Sequence, residues 1–472
     1  MDYINEKLLE FNNYLKGRKV AVIGLGVSNI PLIEYLHDYK AEVTVFDGKE
    51  IDDIDKCILD KIVNYGMKFH FGKNYLNNLV GFEIIFRSPS CLPTLPELVK
   101  EAERGAIITT EVEMVIELAP CLVIGVTGSD GKTTTTTLIH EILKEDGYNC
   151  YLGGNIGTPL FTKIGDMLPE DIVVLELSSF QLMYMKISPK ISVITNITPN
   201  HLNVHSDMEE YIEAKKTIFK YQDKDGLLIL NYDNEITREC FNEASGKAIY
   251  FSSKNKIQDG YIYDNDDGKI KVCENGLRKH VFDTRYMKIR GVHNFENACC
   301  AIIATKDLVK KESIEKVLTE FKGVEHRLEL VKETKNRIKW YNDSVSSSPT
   351  RTIAGLNAFA LKNLILIAGG YDKKLDYTVL AKPIVDNCKA LILLGQTSDK
   401  IEKAVKQELK KSKKELEIYR CKSLYQTVQT ANQIAKNGDV VLFSPASASF
   451  DMFKNFAERG EIFKQYVKEI VK

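Results

Sequence analysis

The run CLVIGVTGSDGKTTTTTLIH, residues 121–140, sets an apolar strand pattern, a glycine loop, one lysine and a threonine run in that order. Its centre is T-G-x-x-G-K-T: Thr127, Gly128, Gly131, Lys132 and Thr133. Glycines let successive backbone N–H groups converge on an anion, and the helix that follows aims its positive end at the same point. Lys132 supplies a point charge for outer phosphates, and the Thr133 hydroxyl can reach a magnesium ion. A strict Walker loop would need a glycine five residues before Gly131, where this chain has Val126. The shorter pattern still carries the chemistry of a triphosphate site, against the alternative of an ordinary strand-to-helix turn with a surface lysine.

Magnesium on a triphosphate calls for carboxylates at the ends of neighbouring strands. Glu176 follows the apolar run IVVL and so sits at the carboxyl end of a buried strand, where α/β sheets bind ligands. His201 follows the next strand, as a metal ligand or a plain loop histidine. In SDMEEYIEAKKTIFKY, Ser206 and Glu209 read as a capping box that starts a helix. On that helix Tyr211, Ala214, Lys215 and Ile218 share one face, so Lys215 points with apolar neighbours. A buried lysine needs a partner or a chemical task; the pattern alone favours a side chain that snorkels to solvent. A second turn, Gly24-x-Gly26-x-x-Asn29 with Asp47 ending the next strand, is like a dinucleotide fingerprint without its third glycine. NAD, another nucleotide and a plain turn all fit it.

The elements that must position these groups form three blocks in a chain of 472 residues, too long for one ordinary domain. Short apolar runs alternate with amphipathic helices, the pattern of α/β layers with parallel sheets. The first block, 1–110, opens with KVAVIG, a helix from Ser28 to Lys40, and EVTVFD. The second, 111–323, holds the phosphate loop, the strands DIVVLELS and ISVITNI, and a stretch of short strands and polar turns over 222–290. The third, 324–472, carries RIKWYNDS, NLILIAGG, ALILLG and VVLFSPAS, a charged helix from Asp399 to Glu415, and a closing helix. A formal net charge of -1 argues against bulk nucleic-acid binding. No apolar run approaches a membrane span, and the start lacks the apolar core of a signal peptide. Ten cysteines without a C-x-x-C pair read as reduced thiols of a cytoplasmic protein, with no zinc cluster expected.

Taken together, TGSDGKTTT, GGNIG (153–157), ELSSFQL (176–182), NITPNHLN (196–203), the lysine helix and GVHNFENA resemble the ATP-dependent Mur ligases of peptidoglycan precursor synthesis, and the folylpolyglutamate synthases that share these motifs. The ending S-P-x-x-A-S-x-D-x-F-x-x-F-x-x-R-G, Ser444 to Gly460, is similar to that of the D-glutamate-adding members. The resemblance covers nearly the whole chain. It implies three domains, a Rossmann-like one, a central ATPase-like one with the phosphate loop, and a second Rossmann-like one. It implies amide formation between D-glutamate and UDP-N-acetylmuramoyl-L-alanine through an acyl phosphate, with ATP and Mg²⁺, in a cytoplasmic protein expected to be a monomer.

Residue by residue, the resemblance gives Gly128, Gly131, Lys132, Thr133 and Thr134 to ATP phosphates, Asn294 and Asn297 to adenine, and Arg327 and Asp343 to the third domain's share of ATP. Thr133, Glu176, His201 and a Lys215 carbamylated by carbon dioxide would hold metal, which reverses the snorkelling preference. Gly26, Val27, Ser28, Asp47 and Asn155 would hold the UDP-sugar, so that one glycine turn grips ATP and the other the substrate's nucleotide. Ser347, Lys373, Ser449 and Phe456 would receive D-glutamate. The chain departs from the family at Val345, where a lysine is usual after Asn-Asp-Ser, and at Ser88-Pro89-Ser90, where SPG is usual. Another Mur ligase, such as an L-alanine-adding one, and an NAD-dependent oxidoreductase are the rival readings.

Overall fold

A computed structural model describes residues 3–199, 205–359, 363–373 and 375–471. The fold is mixed α/β with three sheets. The first contains β1 (Lys19–Ile23), β2 (Glu42–Asp47), β3 (Lys68–Phe71), β4 (Ile84–Arg87) and β5 (Ile107–Thr109), all parallel, in the order 3-2-1-4-5. The second is assembled from β6 (Leu122–Thr127), β7 (Cys150–Gly154), β8 (Ile172–Glu176), β9 (Ile191–Ile194), β10 (Leu227–Asn231), β11 (Lys247–Ser252), β12 (Gly260–Asp264), β13 (Lys269–Glu274) and β14 (Leu277–Asp283). Its order is 14-13-12-11-10-9-6-8-7, with antiparallel pairing only across β12, β13 and β14. The third joins β15 (Glu329–Glu333), β16 (Lys339–Asn342), β17 (Leu364–Ala368), β18 (Cys388–Leu393), β19 (Glu417–Arg420) and β20 (Val440–Phe443) in the order 15-16-20-17-18-19.

These strands form where the sequence runs apolar without alternation, because a parallel strand is covered on both faces. VAVI of β1, all of β8 and all of β17 are buried throughout. Each sheet has a point where strand order reverses: β1 against β4, β6 between β8 and β9, and β20 against β17. Ligands bind beyond the carboxyl ends of strands at such points, and the glycine turns at Gly24, Gly128 and Gly369 follow β1, β6 and β17.

The chain divides into two compact units, Met1–Phe321 and Lys322–Lys472. Within the first, one core joins Val22 and Phe86 of the first sheet to Val173 and Leu175 of the second, through Val112, Val115, Phe161 and Ile164 between them. The opposite face of the second sheet packs on the helices Lys132–Glu145 and Val292–Thr305. In the second unit two clusters, one around Leu366 and Leu391 and one around Ile365 and Phe443, cover the two faces of its sheet. No helix among the described residues is long and apolar enough to cross a membrane.

One local expectation shifts by a residue. The lysine helix runs Met208–Lys220, and its cap is Asp207, whose carboxylate accepts from Glu210 N–H at 2.8 Å. Glu210 accepts from the N–H of Ser206, the residue before the cap, at 2.8 Å, so the capping side chain is Asp207 rather than Ser206 and the reciprocal box of Ser206 with Glu209 does not form. An ionised cap at the positive end of a helix gains from the dipole, which a serine does not.

Candidate active site

The phosphate loop is built by close backbone packing. Gly128 has φ +150°, and a Cβ there would overlap the Thr195 hydroxyl at the end of β9. Gly131 has φ +82° and would carry a Cβ 2.5 Å from Asn297 Oδ1. The loop is tied to the segment after β9: Ser129 N–H donates to Asn196 O at 2.8 Å and Asp130 N–H to Asn196 Oδ1 at 2.9 Å. From Gly131 the chain enters the helix Lys132–Glu145, and the opening N–H groups of an α-helix have no intrahelical acceptors. Thr133 and Thr134 lie in that first turn, half-buried and buried.

Two amines converge on one carbonyl. Lys132 Nζ donates to Gly128 O at 2.8 Å and to Ser129 O at 3.0 Å. Lys215 Nζ donates to the same Gly128 O at 2.9 Å and to Thr127 Oγ1 at 3.3 Å. Lys215 is only 2% exposed, so it does not snorkel, and its Nζ lies 4.8 Å from the Tyr211 ring centroid. Burial, and then the neighbouring Lys132 charge, hold its pKa well below the usual lysine range, against the pull of Asp130 and Glu176.

Glu176 ends β8 in register with Val126 of β6 and Gly154 of β7. It is 2% exposed; Oε1 accepts from Asn155 Nδ2 at 2.7 Å, and Oε2 has no hydrogen-bond partner among the described residues. A carboxylate oxygen buried without a donor beside an anion loop fits a divalent cation, since an uncompensated buried charge is otherwise costly. Thr133 and Glu176 are thus residues of a kind that suits magnesium, whereas the Lys215 amine, a hydrogen-bond donor here, is not. His201, the remaining expected ligand, lies outside the described residues. Asn155, expected at the sugar, here steadies Glu176.

Asn297 is buried and accepts from Thr135 Oγ1 at 3.2 Å, while Asn294 meets it at 3.4 Å and donates to Arg290 O at 2.8 Å. Both sit on the helix packed against the phosphate-loop helix.

At the first glycine turn, Gly24 has φ +91°, and a Cβ there would meet Ser88 Oγ at 2.7 Å. Asp47 accepts from Leu25 N–H at 2.6 Å and Lys49 N–H at 2.9 Å, so it shapes the turn as well as closing β2. Val27 is 77% exposed and, with Gly26 and Ser28, forms the open side of the turn. Ser90, where glycine is usual, pairs its hydroxyl with Ser88 Oγ at 3.0 Å.

In the second unit, Asp343 follows β16 and is 2% exposed. Its oxygens accept from Leu328 N–H at 3.2 Å and Ser444 Oγ at 2.7 Å, which leaves it an internal anchor beside the exposed Arg327. Burial raises its pKa to about 6. The folded unit therefore keeps a proton that the unfolded chain releases near pH 4, so stability falls as pH rises from about 4 to about 6 and is level above. Urea unfolding across pH 4–7 is expected to show that fall in the wild type and a flatter profile in Asp343→Asn. Val345 O accepts from the Arg351 guanidinium at 3.4 Å, so a cation stands beside the loop that lacks the usual lysine. Ser347 lies on that loop. Lys373 follows the turn after β17, exposed, with Nζ 5.6 Å from the Phe450 ring centroid. Ser449 is buried in the turn after β20, and Phe456, 42% exposed, opens the last helix. An antiparallel bridge between Tyr371 and Ala448 brings the Lys373 and Ser449 turns side by side.

Two residues of the first unit stand out only in three dimensions. Arg87, 3% exposed at the end of β4, donates to Met183 O at 2.7 Å and to Phe180 O at 3.4 Å, tying the Ser88 turn to the segment after Glu176. His205 is stacked on Phe180 at 5.1 Å and bonded to Ser179 Oγ at 2.9 Å. Its Nδ1 lies 3.3 Å from Glu210 Oε2 without hydrogen-bond geometry. Nothing in the residue pattern marks either one, since their partners are backbone carbonyls, a ring face and a hydroxyl of other segments.

Three family descriptions match the chain: the Mur ligase MurD-like N-terminal domain over residues 18–110, the Mur ligase middle domain over 126–305, and the Mur ligase glutamate ligase domain over 326–447. Relatives named UDP-N-acetylmuramoylalanine–D-glutamate ligase include one from Acetivibrio thermocellus, 49% identical over 99% of this chain and 100% of its own length. Those of Ruminiclostridium cellulolyticum and Clostridium tetani are 47% and 46% identical over the same shares. Among solved structures, the fold is shared with a UDP-N-acetylmuramate-alanine ligase from Thermotoga maritima, with a TM-score of 0.58 and 18% identity over 96% of this chain and 99% of that one. A pseudomurein peptide ligase type C from Methanothermus fervidus gives 0.53 at 19% identity, over 96% and 100%. With the glycine loops, the buried lysine and the inward carboxylate at the positions these matches span, the chain belongs to the Mur ligase family.

Proposed function

We propose that the chain joins D-glutamate to UDP-N-acetylmuramoyl-L-alanine in peptidoglycan precursor synthesis, with ATP converted to ADP and phosphate. The observation that carries this reading is the near-half identity, end to end, to relatives of that name. The terminal alanine carboxylate attacks the γ-phosphorus of ATP and displaces ADP, leaving an acyl phosphate. The D-glutamate amine attacks that carbonyl, the tetrahedral adduct expels phosphate, and the amine gives up a proton as the amide forms.

The family uses ATP and Mg²⁺. Bound magnesium would neutralise the triphosphate so that a carboxylate can approach it. The protein's own groups position and neutralise. Gly128, Gly131, Lys132, Thr133 and Thr134 receive the phosphates; Lys132 must exchange the Gly128 and Ser129 carbonyls for them. Glu176, His201 and Lys215, the last as a carbamate formed with carbon dioxide, are the metal ligands of this reading. Asn294 and Asn297 receive adenine, with Arg327 and the loop anchored by Asp343. Gly26, Val27, Ser28 and Asp47 take the UDP, and Asn155 lies toward the sugar while holding Glu176. Ser347, Lys373, Ser449 and Phe456 take D-glutamate. Three domains, 1–110, 111–323 and 324–472, in a cytoplasmic monomer complete the reading.

Phosphate release with ATP, magnesium and the UDP-sugar tests it. Release is expected with D-glutamate, and at least about 100-fold less with L-glutamate, L-alanine, L-lysine or meso-diaminopimelate, because one hand of the amino acid aims the amine while the carboxylates are held. Equal rates with both glutamate enantiomers would remove the assignment. Lys373→Ala is expected to raise the D-glutamate KM about tenfold or more and to leave the ATP KM near its wild-type value, since it removes a charge pair present in the ground state.

A further inference from the structure

The closing motif contains a residue with no role so far, Arg459, and it is among the most buried large side chains in the protein at 1% exposure. Among the described residues its guanidinium makes four hydrogen bonds, none to a carboxylate. Nε donates to Ser344 Oγ at 3.1 Å, Nη2 to Ser344 O at 2.7 Å, and Nη1 to Ser447 O and Ala448 O at 3.0 Å each. A Cβ on Gly370 would lie 3.3 Å from Nη1, so the turn after β17 also packs on this group.

These acceptors belong to the turns that bear the candidate amino-acid pocket. Ser344 lies three residues before Ser347, and its hydroxyl donates to Phe456 O at 2.7 Å. Ala448 precedes Ser449, and its carbonyl also accepts from Tyr371 N–H, two residues before Lys373. The turn after β20 is strained, with Ala446 at φ +56°, and such a backbone persists only where its surroundings over-determine it. A rigid planar fork meeting several carbonyls does that; a lysine cannot reproduce the geometry.

The charge is as notable as the geometry. Among the described residues the partners of Arg459 are a hydroxyl and three carbonyls, with no carboxylate in an ion pair with it. Asp451 is the carboxylate whose field it feels, and burial pushes that group's pKa up from the usual carboxylate range. Burial lowers the guanidinium to about 10, so it remains charged at neutral pH. A buried, unpaired cation is costly unless an anion arrives to balance it.

Resting on the ligase reading above, we propose that Arg459 is the positioning residue of the incoming-amino-acid pocket, fixing the Ser344, Gly370 and Ser447–Ser449 turns together and lending a positive charge, not ion-paired among the described residues, that favours a dicarboxylate over its monoamide. It acts through those turns and its field, and does not touch the substrate.

The test is steady-state phosphate release with saturating ATP, magnesium and UDP-sugar, titrating D-glutamate and D-glutamine against wild type, Arg459→Lys and Arg459→Gln. ATP binding by calorimetry and thermal unfolding accompany each variant. Arg459→Lys is expected to raise the D-glutamate KM at least about tenfold while retaining the preference over D-glutamine, because charge stays and the fork is lost. Arg459→Gln is expected to raise that KM and also to narrow the kcat/KM preference by about tenfold or more, because the charge is gone. The ATP KM is expected to stay within about twofold in both. An unchanged D-glutamate KM in both variants, an equal rise in the KM of all three substrates, or an unchanged preference in Arg459→Gln overturns the proposal. If Arg459→Gln does not fold, a wild-type D-glutamate KM in Arg459→Lys overturns it alone. A wild type without D-glutamate-dependent phosphate release would instead sink the ligase reading itself.

Discussion

Lys215→Ala is expected to lower turnover on the order of 10³-fold, the scale of losing one preorganised charge-stabilising group, while Lys216→Ala stays near wild type. The two lysines are neighbours on one helix, but one residue turns the side chain by about 100°. Lys216 faces outward to Glu243 at 2.8 Å and Glu213 at 3.3 Å. Lys215 is enclosed, with its amine between Thr127 Oγ1 and the Gly128 carbonyl and a second cation, Lys132, on that same carbonyl. Burial and Lys132 both favour the neutral amine, and only a neutral amine attacks carbon dioxide. In that step nitrogen bonds to carbon, one of its two protons is lost, and a carboxylate-like pair of acceptor oxygens is carried on the remaining N–H. The change turns a group that would repel a magnesium ion beside Glu176 into one that would bind it. Depleting carbon dioxide is expected to lower wild-type activity and bicarbonate to restore it. Carbon-13 bicarbonate is expected to give a carbamate resonance in wild type and Lys216→Ala, and none in Lys215→Ala. ATP binding by calorimetry should survive Lys215→Ala through the phosphate loop. Wild-type turnover in Lys215→Ala, with loss in Lys216→Ala, would end both the helix-face argument and the carbamate.

The contrast between these lysines was legible before any coordinates, because periodicity reports which way a helical side chain points. Pattern alone did not say what lies opposite, and so it favoured a snorkelling lysine where the structure has a buried one. The glycine turns were legible for a related reason: strand, glycine, helix is a local sequence of backbone states, and Gly24, Gly128 and Gly131 all have the positive φ that such turns require. What could not be read are contacts between segments far apart in sequence. Arg87 and Arg459 carry charges that composition assigns to the surface, and each meets a carbonyl far away in the chain, 96 residues for Arg87 and 115 for Arg459. The union of the first two sheets in one core was hidden too, since Val22 and Val173 look like any strand valines. The Asp207 cap shows the limit at short range, where two acceptable caps stand side by side and the dipole decides between them.

Gly128→Ala is the other change expected to be severe, and it separates the two glycine turns. At φ +150° an L side chain is strained whatever room it has, and here the added carbon would overlap Thr195 Oγ1, with Asn196 O and Thr195 Cβ 3.2 Å away. Thr195 cannot swing aside cheaply. Its hydroxyl donates to Asp130 O at 2.5 Å and Thr127 O at 3.3 Å, bonds that hold the phosphate loop against β9. The loop must therefore move by something near an ångström, which for a phosphate cradle costs at least about 100-fold in turnover. ATP affinity should fall with it, while binding of the UDP-sugar survives. Gly24→Ala should do the reverse: φ +91° and the contact with Ser88 Oγ at 2.7 Å distort the first turn and leave the phosphate loop untouched. Gly165→Ala is the control for folding, because the nearest atom to its added carbon, Leu8 Cδ2, is 3.8 Å away and its φ is outside the left-handed region. Calorimetric titration of each variant with ATP and with the UDP-sugar reads the outcome directly. Wild-type ATP affinity and turnover in Gly128→Ala would show that this loop does not hold the phosphates. A Gly24→Ala protein that lost ATP and kept the UDP-sugar would show that the two turns had been assigned the wrong way round.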